Sequence, residues 1–204
     1  MKSITRSTNQ DVNVIRAILS YLDVIIRNRK RNLSTNMQRR DILGCLESII
    51  AYNDSESYCK KICLDFNIVP NINYILSSGV FSIDIHVLCK CIETLISMFS
   101  NTLENSKHNK ILQRIMFKES VVTAVVTVFE NNSESDAIAR QCMVFLYNVC
   151  KNDANKAKIL RKQGGLELIK KAISIHGKNR VSGLLVLKPG KLALESVWYG
   201  AKRR

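Results

Sequence analysis

The sequence predicts an all-α fold built from repeated helical units, and three observations carry that reading. Apolar residues recur at spacings of three and four almost throughout the chain, the period of a helix with one buried face. Only 2 prolines and 8 glycines occur in 204 residues. Sandwiches and barrels need a turn signal every eight to twelve residues or so, far more punctuation than this. Third, three segments superpose on one another at long intervals, the mark of a repeat architecture.

The elements follow in order. Asp11–Ile26 places Val12, Ile15, Ile18, Leu22 and Ile25 on one helical stripe, and the basic stretch 27–33 interrupts it. Asp41–Tyr52 carries Ile42, Leu46 and Ile49 in the same way. Asp54–Asn67 reads as a further helix with Asp54 or Ser55 as its N-cap. Pro70 falls in the first turn of the next helix, where a missing N–H costs least. Ile83–Phe99 is long and apolar, and 102–109 is a polar loop. Asn132–Asp136 is another loop, with Ser133 or Ser135 placed to cap the helix that follows. Gly164-Gly165 stops one helix and starts the next. The segment 177–204 reads as irregular and basic because it holds Gly177, Gly183, Pro189 and Gly190. Leu184–Leu187 stays unassigned, and Lys191–Tyr199 is the candidate to complete a last repeat.

The three superposable segments begin at Asn67 (Asn67-Ile68-Val69-Pro70), Ser120 (Ser120-Val121-Val122-Thr123) and Gly164 (Gly164-Gly165-Leu166-Glu167). Each follows a helix with a similar end: Ile62-Cys63-Leu64, Ile115-Met116-Phe117 and Ile159-Leu160-Arg161. This order of small residue, aliphatic pair, proline and leucine-rich end resembles the second helix of an armadillo repeat. Ala139–Cys150 resembles the family's third helix, including an asparagine at Asn148. Aligning on Leu146 brings Leu46 and Leu95 to equivalent positions. The resemblance implies a right-handed α-solenoid of about three to four repeats over residues 1–176, with units near 8–53, 54–100, 108–151 and 154–176 onward. HEAT repeats are the nearest competing pattern and imply the same functional class. A repeat of this kind cannot bury both its apolar faces alone, so stacking supplies the core.

The resemblance also implies that the third helices line a concave groove. Nuclear-import receptors of the family set a tryptophan and an asparagine there. Here the asparagine position reads Ser48, Ser97 and Asn148, and the tryptophan position reads Gly44, Glu93 and Val144. That array is absent, so a groove for extended basic peptides is not expected. One turn earlier lie Arg40, Cys89 and Arg140, two arginines suited to carboxylates or phosphates. Asn148 is expected to hold a neighbouring backbone group.

Net charge is +14, divided as +7 over residues 1–40, −4 over 41–150 and +11 over 151–204. A field of that sign draws acidic partners. The dense clusters Arg27, Arg29, Lys30, Arg31 and Arg39, and Lys202, Arg203 and Arg204 at the end, are the candidate contact patches. Trp198 and Tyr199 beside that tail form a candidate aromatic anchor. The 7 cysteines sit in apolar-periodic segments and read as buried thiols in a reducing compartment. Cys59 and Cys63 lack the further ligands a zinc site needs. No metal or other cofactor is expected, and no small-molecule substrate. No phosphate loop, dinucleotide glycines, zinc-protease motif or nucleophile elbow occurs, so no catalysis is expected.

These observations predict a non-catalytic protein-binding scaffold or adaptor, a small subunit of a larger assembly that meets an acidic surface. The alternative is an accessory RNA-associated subunit of a ribosome or other ribonucleoprotein, with basic ends on the phosphate backbone. The expected setting is intracellular and cytoplasmic, in a cytoskeletal or ribonucleoprotein complex. Lys2 and Arg6 among serines and threonines give a mitochondrial alternative. No apolar run reaches the roughly 18 residues that would span a bilayer.

Overall fold

The computed structural model describes residues 2–27, 35–55, 65, 68–78, 81, 84–99, 107–151, 153–177 and 182–199. Within these, the side chains of 2–11, 35, 54–55, 108, 182–187 and 198–199 fall outside the description. The described residues form ten helices and no strand: α1 (Lys2–Arg27), α2 (Thr35–Ser55), α3 (Ile68–Ser77), α4 (Ile85–Ser97), α5 (Lys107–Lys118), α6 (Val121–Asn131), α7 (Asp136–Cys150), α8 (Ala154–Lys162), α9 (Gly165–His176) and α10 (Ser182–Tyr199). The chain is all-α, as its apolar spacing predicts.

The helices pack in two parallel series. α2 packs on α4, α4 on α7 and α7 on α10. Alongside, α1 packs on α3, α3 on α6 and α6 on α9. α5 rests on α6 and α7, and α8 on α7, α9 and α10. The apolar stripes point between the series. Leu46, Leu95 and Leu146, equivalent in the sequence alignment, are each 0% exposed on α2, α4 and α7. Fully burying a leucine contributes about 1.5–3 kcal/mol, so this row is a principal part of the core.

Caps define several helix starts. Asp84 accepts from the Val87 N–H at 3.2 Å, Ser135 from Ile138 at 3.4 Å, and Asp153 from Asn155 and Lys156 at 3.1 and 3.0 Å. Ser135 is therefore the cap of α7, while Ser133 is buried. Pro70 occupies the first turn of α3.

The corners between α5 and α6 and between α8 and α9 share one backbone device. Ser120 (φ 58°) and Gly164 (φ 80°) are both left-handed, and these are the residues at which two of the superposable segments begin. Glycine adopts this conformation freely, whereas a serine is strained there. Ser120→Gly is expected to stabilise the protein and Gly164→Ala to destabilise it, each by about 1 kcal/mol. Circular-dichroism melts should then move up and down by about 2–4 °C respectively. Shifts of the same sign in both would refute the shared strain.

Several elements differ from the sequence reading. α2 begins at Thr35, not Asp41, and runs to Ser55. Asp54 and Ser55 lie in its last turn, and their expected capping of a following helix lies outside the described residues. The buried Asn53 holds that turn by donating to Ser97 Oγ at 3.2 Å. The helix expected over 54–67 lies, past Ser55, almost entirely outside the described residues. Lys107–Asn109, expected as loop, opens α5.

The largest difference is the segment 177–204, read as irregular. Its residues 182–199 are helical and include Leu184–Leu187. Pro189 sits inside this helix and Gly190 follows it. A Cβ on Gly190 would lie 2.8 Å from Ile173 Cγ1 and 3.2 Å from Met143 Sδ. The glycine lets α10 approach α9 and α7 closely, and this packing outweighs the poor helix propensity of Pro and Gly.

Candidate partner-binding face

The outer face of the α2–α4–α7 series holds most of the residues singled out from the sequence. Arg40 is exposed on α2 and, with Arg39, Gly44, Glu47 and Ser48, lines an open groove of about 970 Å³ against Ala17 and Tyr21 of α1. Tyr21 OH closes one side by donating to Asp41 at 3.1 Å. That hydrogen bond, with the Asp41 charge, raises the Tyr21 phenol.

Glu93 projects from α4 and pairs with Lys90 at 2.9 Å, and Lys90 also reaches Glu47 of α2 at 3.8 Å. Around the half-buried Cys89 the structure gathers Glu93, Arg140, Asp136 and Lys90. Burial first, then Glu93, raises the Cys89 thiol against the opposing pull of Arg140. The structure thus brings Glu93 and Arg140 together, with Val144 half-buried one turn further along α7. The face sets Arg40, Lys90 and Arg140 against Glu47, Glu93 and Asp136, so it is locally near neutral.

Other candidates have structural duties instead. Ser97 is buried; it donates to the Thr94 carbonyl at 2.8 Å and accepts from Asn53. It faces the protein and not a groove. Ser48 donates back to the Gly44 carbonyl at 2.8 Å within its own helix. The Asn148 side chain makes no hydrogen bond among the described residues. Its carbonyl instead accepts from Gln113 Nε2 at 3.0 Å, which also reaches the Lys151 carbonyl at 3.3 Å. Sequence reasoning missed Gln113, a buried polar residue one position after the buried Leu112. An amide next to the core stripe was the available signal.

The basic clusters divide. Arg27 pairs with Asp23 of its own helix at 2.8 Å. Arg39 pairs with Asp84, the cap of α4, so it fastens α2 to α4 rather than waiting for a partner. Arg29, Lys30, Arg31, Lys202, Arg203 and Arg204 lie outside the described residues. So do the side chains of Trp198 and Tyr199, whose backbones end α10.

A second hollow of about 340 Å³ lies among α3, α4 and α6, lined by Leu76, Leu88, Thr123, Thr127, Val128 and Asn131. Its lining holds no titratable group and offers no proton donor or acceptor of catalytic type. Burial pushes the Cys45 thiol up to about 11, with Asp41 adding to it, and Cys150 up to about 12; Cys91 and Cys142 are also raised by burial. These thiols are protonated at neutral pH and are poor nucleophiles. Cys59 and Cys63 lie outside the described residues. Among the described residues no group of His, Cys, Asp and Glu is arranged to hold a metal ion, and no helix is long and apolar enough to cross a membrane.

One ion pair carries a pH signature. Burial raises the Asp153 carboxyl, but hydrogen bonds from Lys156 and Asn155 and the Lys156 charge outweigh it, so its pKa is lowered. A depressed folded value stabilises the fold above the ordinary carboxylate range, and that stability is lost as pH falls through the folded value. Asp153→Asn keeps an N-cap side chain but removes the charge. The variant is expected to lose less stability than the parent between about pH 5 and about pH 3, read from urea midpoints. Equal losses would show that the pair contributes nothing.

No protein-family model matches the chain, and no curated protein matches it significantly.

Proposed function

We propose that the chain is a right-handed α-solenoid of armadillo-like repeats that works as a non-catalytic adaptor, a small subunit binding an acidic protein surface in a larger intracellular assembly. One observation carries the repeat reading. Beside shorter links of 17 to 38 residues, five side-chain hydrogen bonds between elements fall at nearly one interval: Asn53 to Ser97 (44 residues), Asn73 to the Glu119 carbonyl (46), Lys156 to Gln113 (43), Gln163 to Thr123 (40) and His176 to the Ser133 carbonyl (43). Such a period is that of a unit tied to its immediate neighbour. The serial packing of α2, α4, α7 and α10 supports the same reading, with α10 as the last third helix. The +14 charge supports an acidic partner.

The test is a pull-down from native extract over a salt series, with and without nuclease, followed by cross-linking to identify direct contacts. The adaptor reading predicts a protein cross-linked to this chain that survives nuclease and about 0.5 M salt, where exposed charge pairs alone are screened within a few ångströms. Loss of all partners on nuclease treatment would replace it with the ribonucleoprotein reading.

A further inference from the structure

A set of exposed cations also lies away from the α2–α4–α7 face. α5 and α8 contain no acidic residue. Arg114 and Lys118 on α5, and Lys158 and Lys162 on α8, are exposed and form no ion pair among the described residues. Each pair is four residues apart, so it stands on one helix face about 6 Å apart. The two pairs are also in register. Ser120 and Gly164 are the equivalent left-handed corners; counting back from each, Arg114 matches Lys158 and Lys118 matches Lys162. Lys156 Nζ donates to Gln113 Oε1 at 3.4 Å, a single side-chain tie between the two helices. The result is two cation pairs at equivalent positions on two successive helices tied to each other.

Ile111 and Ile159 stand beside these cations, 40% and 43% exposed. A phosphate backbone would leave both isoleucines in water, and base stacking needs aromatic platforms; among the described side chains of α5 and α8 no exposed one is aromatic. Carboxylates four residues apart on a partner helix match the cation spacing, and apolar side chains between them would cover the isoleucines.

We infer that the paired faces of α5 and α8 bind an acidic amphipathic helix of a partner protein, with carboxylates on Arg114, Lys118, Lys158 and Lys162 and apolar residues on Ile111 and Ile159. This inference rests on the adaptor reading and names the surface that serves it. Three labelled probes test it by fluorescence anisotropy: a peptide of about 20 residues with Glu and Leu at helical spacing, a Glu/Ser peptide of equal charge, and a single-stranded RNA of about 20 nucleotides. The protein should prefer the Glu/Leu peptide. R114E/K118E/K158E/K162E should weaken it about tenfold or more. I111S/I159S should weaken it about three- to tenfold and erase the preference over Glu/Ser. R40E/R140E, on the α2–α4–α7 face, should change it less than about twofold. Circular dichroism checks each fold; if the fourfold reversal unfolds, R114Q/K158Q carries the same test with about a threefold loss. Loss in R40E/R140E alone, or no preference for leucine, overturns this surface while leaving the adaptor reading intact. Binding of RNA alone, steeply weakened by salt, overturns both.

Discussion

Gly190→Val is expected to lower the melting temperature by about 6–12 °C, the equivalent of about 3 kcal/mol. The added Cβ would have to occupy space 2.8 Å from Ile173 Cγ1 and 3.0 Å from Ile173 Cδ1, well inside van der Waals contact. Valine adds two more carbons to the same gap between α10, α9 and α7. The helix cannot slide to relieve this without uncovering Ala193 and Val197, both 0% exposed. Amide exchange should therefore rise across 182–199 more than elsewhere, with Gly190→Ala intermediate. A valine variant that melts within a degree of the parent would mean that α10 does not dock as described.

Phe145→Ala is expected to be larger still, about 4 kcal/mol. Phe145 is 0% exposed at the middle of α7, the helix against which α4, α5, α6, α8, α9 and α10 all pack. The cavity would sit where the N-terminal and C-terminal halves of the protein meet. Units joined only through neighbours lose cooperativity when the joining interface weakens. Calorimetry of the variant should show two separated transitions, or one transition about 8–16 °C lower. A single transition displaced by less than about 2 kcal/mol would show that α7 is not the keystone of the packing.

Much of this architecture was legible in the sequence because it depends on local period. The equivalence of Leu46, Leu95 and Leu146 follows from spacing alone, and all three are fully buried. The corners at Ser120 and Gly164 were legible as the starts of superposable segments. α10 was not, because Pro189 and Gly190 argue against a helix locally and only Ile173 and Met143, distant in sequence, reverse that judgement. The intramolecular partners of Arg39 and Ser97 were hidden for a related reason. A basic or polar residue on α2 or α4 looks available until its partner is known, and those partners, Asp84 and Asn53, lie more than 40 residues away in the chain. The equivalence of the two cation pairs is legible in the sequence, because Arg114 and Lys158 precede Ser120 and Gly164 by the same distance.

The spacing of the five side-chain ties between helices also bears on how the protein is made. No tie among those five spans more than 46 residues. Closing such a loop costs little entropy, and low contact order favours rapid folding. Each of these segments finds its partner once 40–46 further residues have left the ribosome. The described helices can assemble in the order of their synthesis, and the side of α7 that α10 covers stays open while α8 and α9 are being made.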